Sequence, residues 1–187
     1  MSSSIFFASS NKNKYEEAKN IVSKFGLKLE FLKSNLQEIQ ADNLEEIARH
    51  KAMQAFSICS KPVIVEDDGL FIKSLNGFPG PYSSFVFDTI GNKGILHLVS
   101  RPRDASFRSI IAYCERDGDV HLFSADVKGR ISKKEQGVKW GFDPIFIPSG
   151  KNKSYSELAE KNQISHRYLA LKKFASWYLN KRRLHDQ

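Results

Sequence analysis

A chain of 187 residues, 41% hydrophobic and 27% charged, can bury roughly 70% of its unfolded surface without disulfide or metal staples. Its 14 Phe argue against disorder, no apolar run approaches the roughly 18 residues of a membrane span, and Cys59 and Cys114 form no disulfide framework. The net charge of +8 is uneven, +3 over residues 1–37, −1 over 38–150 and +6 over 151–187, which fits a nucleic-acid footprint, a phosphate site drawing on both ends of the chain, or solvated charge.

The start, Met1 to Ala8, lacks the basic region and the apolar length of a secretory leader, so a reduced, cytoplasmic setting is expected. Ile5–Ala8 reads as a short buried strand. Ala18, Ile21, Val22 and Phe25 then recur at helical spacing, and Gly26 is placed to stop that helix. Leu27 to Leu32 alternates like a half-buried strand. Asp42 or Asn43 can cap a second helix whose apolar stripe is Leu44, Ile47, Ala48, Ala52 and Ala55. Pro62–Val65 predicts a third strand, closed by Glu66-Asp67-Asp68-Gly69.

After a Gly/Pro-rich loop over 76–82, Ile95–Val99 is helical in pattern. Phe107–Glu115 and Val120–Ile131 are extended runs joined around Asp117-Gly118, a hairpin signal. Ile145–Ile147 predicts another strand. Ser165 can cap a last helix carrying Leu169, Ala170, Phe174, Ala175 and Tyr178, and the following Lys181-Arg182-Arg183 is expected to be solvated. Early alternation of strands and helices followed by strand pairing points to one α/β domain with a mixed central sheet flanked by helices. No repeat, linker or low-complexity tract divides it.

Five constellations carry chemistry. The loop before the first helix, with Ser9, Asn11 and Lys14, suits a phosphate at a helix start, although neither Gly-x-x-x-x-Gly-Lys nor Gly-x-Gly-x-x-Gly is present; on this segment alone a plain capped turn with solvated lysines is the favoured reading. Lys51 falls inside the apolar stripe of the second helix, where it must snorkel, shift its pKa or meet an anion. Glu66, Asp67 and Asp68 follow an apolar strand, and hard Mg²⁺ prefers such carboxylates. Strand alternation puts Asp67 on one face and Glu66 with Asp68 on the other. Trp140-Gly141-Phe142-Asp143-Pro144 offers aromatics that stack on a base or pack in a core. Lys161 to Arg167 sets His166 and Arg167 at a helix start, against its dipole, which asks for another reason for their presence.

The blocks Ser9-x-Asn11-x-x-Lys14, Glu46-Ile-Ala-x-x-Lys51, Glu66-Asp-Asp-Gly-Leu70, Asn76-Gly-Phe-Pro-Gly-Pro-Tyr-Ser83, Gly141-Phe-Asp-Pro-Ile-Phe146 and Ile164-Ser-His-Arg167 resemble, in order, those of the non-canonical purine nucleoside triphosphate pyrophosphatases, the inosine triphosphatase family. The resemblance implies one domain over residues 1–187, elongated, with a substrate cleft between two lobes, in a homodimer. It implies Mg²⁺-assisted hydrolysis of ITP, dITP and XTP to the monophosphate and pyrophosphate. By the same resemblance Ser9, Asn11, Lys14 and Lys51 would hold the triphosphate, and Glu38 and Asp67 the metal. Asp67 would be the base and Lys51 its catalytic partner, with Asp68 also contacting substrate. Phe142, Asp143, Lys161, His166 and Arg167 would surround the purine. Two alternatives stand beside this reading: a Maf-like nucleotide pyrophosphatase, against which the Ser165-His166-Arg167 block argues, and a nucleic-acid-binding module using the basic ends, against which the acidic cluster and the lack of a recognition motif argue.

Overall fold

The computed structural model describes residues 4–116 and 118–185. In chain order the elements are β1 (Ile5–Ser9), α1 (Lys12–Val22), β2 (Leu29–Lys33), α2 (Leu44–Cys59), β3 (Val63–Ile72), α3 (Ser83–Thr89), α4 (Gly91–Leu98), β4 (Asp104–Arg116), β5 (Asp119–Ile131), β6 (Phe146–Pro148), α5 (Lys161–Ile164) and α6 (His166–His185). The strands form one sheet in the order β2-β1-β3-β4-β5-β6. β1 runs parallel to β2, with Ile5 opposite Leu29 and Ser9 opposite Lys33, and parallel to β3. β5 and β6 are antiparallel, so the sheet is mixed, as expected. The neighbours β4 and β5 are separated by two residues, a connection that only antiparallel strands permit. Gly118 in that turn has φ +74°. Asp117, the other half of the hairpin signal, lies outside the described residues, as do Met1–Ser3 of the chain start.

Local chemistry explains the element ends. Asn11 caps α1, its side chain accepting from the amides of Asn13 and Lys14. The helix closes through a 3₁₀ turn over Ser23–Phe25 onto Gly26 at φ +76°. Of the two residues able to cap α2, Asn43 does so, accepting from the Glu46 amide while its own Nδ2 donates to the Glu46 carboxylate.

Three expectations need correction. β3 does not end at the acidic residues but continues to Ile72. Glu66 and Asp67 are buried against cationic partners, so the carboxylates do not break the strand and Leu70 and Ile72 extend its apolar pattern. The helical segment near Ile95 starts earlier, at Gly91, and α3 precedes it; seven residues give too few turns for periodicity to reveal. Lys181 is not solvated. It pairs with Glu115 and stands 5.1 Å from the centroid of the Trp177 ring.

The chain divides into two compact units: residues 1–67, 109–125 and 167–187, and residues 68–108 and 126–166. Each has its own apolar core. In the first, Ile5 and Phe7 of β1, Ala18 and Ile21 of α1, Ile64 of β3 and Ala170, Leu171 and Phe174 of α6 pack together. In the second, Leu70, Ile72, Ile95, Phe107, Phe146 and Tyr155 do so. Among the described residues no helix is long and apolar enough to cross a membrane.

Glu115 offers a test of how α6 is held in the first unit. Burial raises its pKa, but hydrogen bonds from Lys181 and Tyr113 outweigh this and leave it below the ordinary 4.5. A carboxylate with a lowered folded pKa stabilises the fold above its unfolded pKa, and that contribution disappears as pH falls through the folded value. Glu115→Gln should therefore cost up to about 1 kcal/mol near neutrality. In urea titrations from pH 7 downward, the gap between wild type and variant should close once the medium is more acidic than the folded carboxyl pKa; a gap that stays constant would contradict this.

Candidate active site

In the first unit, the turn into α1 is built by its own side chains. The Ser9 hydroxyl accepts from the Asn11 amide at 3.0 Å, and Asn11 Oδ1 accepts from Asn13 and Lys14 at 2.9 and 3.3 Å. This is the capped turn, and it revises the expected way of holding a phosphate. Several amides at the helix start are already engaged. The donor groups for an anion are then the Ser9 hydroxyl, Asn11 Nδ2 and the Lys14 ammonium, helped by a first turn with no acidic residue.

Lys51, on the otherwise apolar face of α2, meets anions rather than snorkelling into water. Its side chain is 12% exposed, and its Nζ lies 2.8 Å from Glu38 and 3.5 Å from Asp67. Glu38 comes from the segment before α2 and is 56% exposed, whereas Asp67 is on β3 and buried. One ammonium thus gathers two carboxylates, an arrangement with formal charge −1 that remains open on the Glu38 side. Hard carboxylate oxygens from two segments fit Mg²⁺, which commonly takes one or two protein carboxylates and completes its shell with water and phosphate. Among the described residues no group of three or more His, Cys, Asp or Glu side chains forms a metal cage.

The neighbours of Asp67 along β3 face the other way, as alternation requires. Glu66 receives both oxygens' worth of hydrogen bonds from Arg167 Nε, at 2.9 and 2.8 Å, and one from the Ser109 hydroxyl at 3.0 Å. Arg167, 1% exposed, also donates through Nη1 to Glu17 of α1. This accounts for a cation at the start of α6: the buried carboxylates require it more than the helix dipole opposes it.

In the second unit, Asp68 lies 3.9 Å from His166 Nε2. The imidazole stacks on Phe107, with ring centroids 4.0 Å apart and an interplanar angle of 3°. The strand just beyond Asp68 is braced by the Gly/Pro-rich loop. Ser83 Oγ accepts from the Leu70 amide at 2.8 Å and donates to the Gly80 carbonyl at 2.7 Å. That carbonyl approaches so closely that a Cβ on Gly69 would sit 2.6 Å from it, hence the glycine after Asp68. Lys161, 3% exposed, pairs with Asp143 at 2.5 Å and stands 5.5 Å from the centroid of Trp140. Phe142 is buried, edge-on to Phe87 at 5.4 Å, so its ring is committed to the core and the half-buried Trp140 is the exposed aromatic face of this loop. Burial, and then the charge of Asp143, push the Tyr155 hydroxyl pKa well above its ordinary value.

The Ham1 family model matches residues 5–177. The chain belongs to the Ham1 family. The dITP/XTP pyrophosphatase of Methanopyrus kandleri is 48% identical over 181 residues, covering 94% of this chain and 96% of that protein. The dITP/XTP pyrophosphatase of Methanothermobacter marburgensis is 47% identical over 93% and 95%. Among solved structures, the HAM1 protein from Coxiella burnetii superposes with a TM-score of 0.80 at 28% identity, covering 95% of this chain and 98% of that one. The Staphylococcus aureus Ham1 protein gives 0.79 at 27% identity.

Within this Ham1-family chain, Lys51, Glu38 and Asp67 form one cluster, as do Lys161 and Asp143, and His166 and Asp68. Arg167 belongs with Glu66 in the first unit, not with His166 in the second. Sequence reading missed Glu17, Ser109 and Phe107. Glu17 lies four residues before Ile21 and next to Ala18, at the edge of the apolar face of α1, a placement that hints at a buried partner. Phe107 reads only as one more apolar strand residue.

The Arg167 network predicts a stability effect. Arg167→Met removes the guanidinium that pairs with both Glu66 and Glu17. The loss should reach about 3–5 kcal/mol, as for a buried pair broken on one side, read from the urea midpoint by tryptophan fluorescence. A loss under about 1 kcal/mol, the scale of surface pairs, would show that the network is unimportant for stability.

Proposed function

We propose that this chain hydrolyses non-canonical purine nucleoside triphosphates, ITP, dITP and XTP, to the nucleoside monophosphate and pyrophosphate, so removing them from the cytoplasmic nucleotide pool. The observation that carries the chemistry is Lys51 holding Asp67 and the exposed Glu38 together. The substrate class rests on relatives named dITP/XTP pyrophosphatases at 48% and 47% identity.

Asp67 takes the proton of a water that attacks the α-phosphorus in line. The new P–O bond forms as the α,β-anhydride bond breaks, and the electron pair leaves with pyrophosphate. Lys51 balances negative charge beside Asp67 and meets the phosphates with Ser9, Asn11 and Lys14. Glu38 and Asp67 would hold Mg²⁺, which when bound neutralises charge on the triphosphate and the leaving pyrophosphate.

The base is read by Asp68, Asp143, Lys161 and His166 around the Trp140–Phe142 loop. Hypoxanthine presents an O6 acceptor and an N1–H donor, and adenine reverses both. The Lys161–Asp143 pair supports this choice, because it offers an ammonium donor beside a carboxylate acceptor in a buried setting. Two mismatches at about 1–3 kcal/mol each reject adenine by roughly 30- to 10⁴-fold. Arg167 acts on the site by fixing Glu66, the residue before Asp67. The exposed rings of Phe85, 68% accessible, and Tyr82 support a homodimeric assembly.

A panel of ITP, XTP, ATP and GTP with Mg²⁺, assayed for pyrophosphate, tests this reading. ITP and XTP should turn over at least about 30-fold faster than ATP, with pyrophosphate rather than orthophosphate as first product. Equal rates or orthophosphate would sink it. Asp67→Asn should lose at least about 100-fold in kcat with the unfolding midpoint kept near that of wild type.

A further inference from the structure

We propose that Asn92, at the start of α4, is a positioning residue for base recognition that holds the Trp140–Asp143 loop in its working shape. This deepens the reading of that loop as the base-recognising element and rests on it.

The geometry is specific. Asn92 Nδ2 donates to the Gly141 carbonyl at 3.1 Å, across 49 positions of sequence. A carbonyl can only accept, so the amide nitrogen has to face it. Gly141 has φ +65°, a left-handed conformation that lets the chain turn between Trp140 and Phe142. The turn is therefore held at its carbonyl by Asn92 of α4. One residue further on, Phe142 packs edge-on against Phe87 of α3. The loop is thus fastened twice to the α3–α4 corner. Beyond this point its backbone is fixed by the Ile145 amide on the Phe142 carbonyl and the Ser156 amide on the Asp143 carbonyl. Asn92 secures the stretch that carries Trp140, the ring beside Lys161.

The second atom of the same amide argues for function over stability. Asn92 Oδ1 is buried and has no hydrogen-bond partner among the described residues. A buried acceptor without a partner is unfavourable. A residue kept only to stabilise the fold would be better replaced by an apolar side chain of similar size. Asn92 keeps the polar atom because its neighbour on the same amide holds Gly141.

Two variants separate positioning from folding. Asn92→Leu removes the donor and relieves the buried oxygen. Asn92→Asp keeps the size and sets a carboxylate against the Gly141 carbonyl. Each is expected to raise KM for ITP about three- to tenfold, the scale of one hydrogen bond, with kcat changed less than about twofold. Calorimetry should show the same loss for inosine monophosphate and none for inorganic tripolyphosphate, which has no base. The urea midpoint of Asn92→Leu should not fall. Weakening of both probes alike, a lowered Asn92→Leu midpoint that accounts for the change, or no change in ITP kinetics would each overturn the assignment. Wild-type protein that does not discriminate ITP from ATP would instead overturn the functional reading beneath it; selective wild type with unaltered variants would overturn Asn92 alone.

Discussion

Three consecutive carboxylates on a strand flanked by buried apolar residues impose the main constraint on this molecule. Glu66 and Asp67 are buried and Asp68 nearly so, and an isolated charge in such a place is far too costly to persist. Each is therefore matched from a different part of the chain. Arg167 and Ser109 meet Glu66, Lys51 meets Asp67, and His166 faces Asp68. Alternation along β3 decides which partner each can have. Two of these partners, His166 and Arg167, are consecutive in sequence, and the carboxylates they serve, Asp68 and Glu66, stand on either side of Asp67. The opening of α6 thus carries the Arg167 cation against its own dipole, beside His166, for a reason set on β3. Replacing the Arg167–Glu66 pair with apolar residues could keep the fold, but it would remove the framework on which Asp67 stands.

The groups around Lys51 and around Lys161 differ in physical character. Around Lys51, recognition on the proposed reading depends on charge. Glu38 is exposed, the donors of the Ser9–Lys14 turn are polar side chains on a helix start, and a triphosphate can be met with little shape complementarity. Around Lys161, recognition on the same reading depends on packing and hydrogen-bond polarity. Lys161, Asp143 and His166 are almost fully buried, with Phe107 and Tyr155 closing round the imidazole. Donor–acceptor polarity discriminates strongly only when water cannot replace a lost partner. The burial of the second group is what lets an inosine base be told from adenine on the proposed reading.

Much of this was legible in the sequence, and the exceptions have physical causes. The apolar stripe of α2 predicted both the helix and the unusual place of Lys51, because a 3.6-residue period is visible in sixteen residues. Period-two alternation likewise sorted Asp67 from Glu66 and Asp68. The length of β3 was not legible: local sequence marks three acids as a boundary, and only their long-range partners make them strand residues. Glu17, Ser109 and Asn92 were missed for a related reason. Each acts through a contact at large sequence separation, and a lone Glu, Ser or Asn has no periodic signature. Trp140 and Phe142 looked equivalent as stacking partners until Phe87 claimed one of them.

The basic composition gains a different meaning from these contacts. Lys51 of α2, Lys161 of α5 and Arg167 and Lys181 of α6 are each spent on a carboxylate of their own unit. Their charge is matched locally by these carboxylates, so the +8 excess is carried by other residues of the chain and not by these four. A nucleic-acid surface needs cations directed outward along a groove. Here, four of the cations that sequence position made prominent are turned onto acids instead. On the proposed reading a triphosphate suits the Lys51 cluster better, because it would compete for the lysine while the carboxylates would be left to hold a divalent cation. The Lys51 cluster, with one buried and one open carboxylate, has the asymmetry that exchange requires.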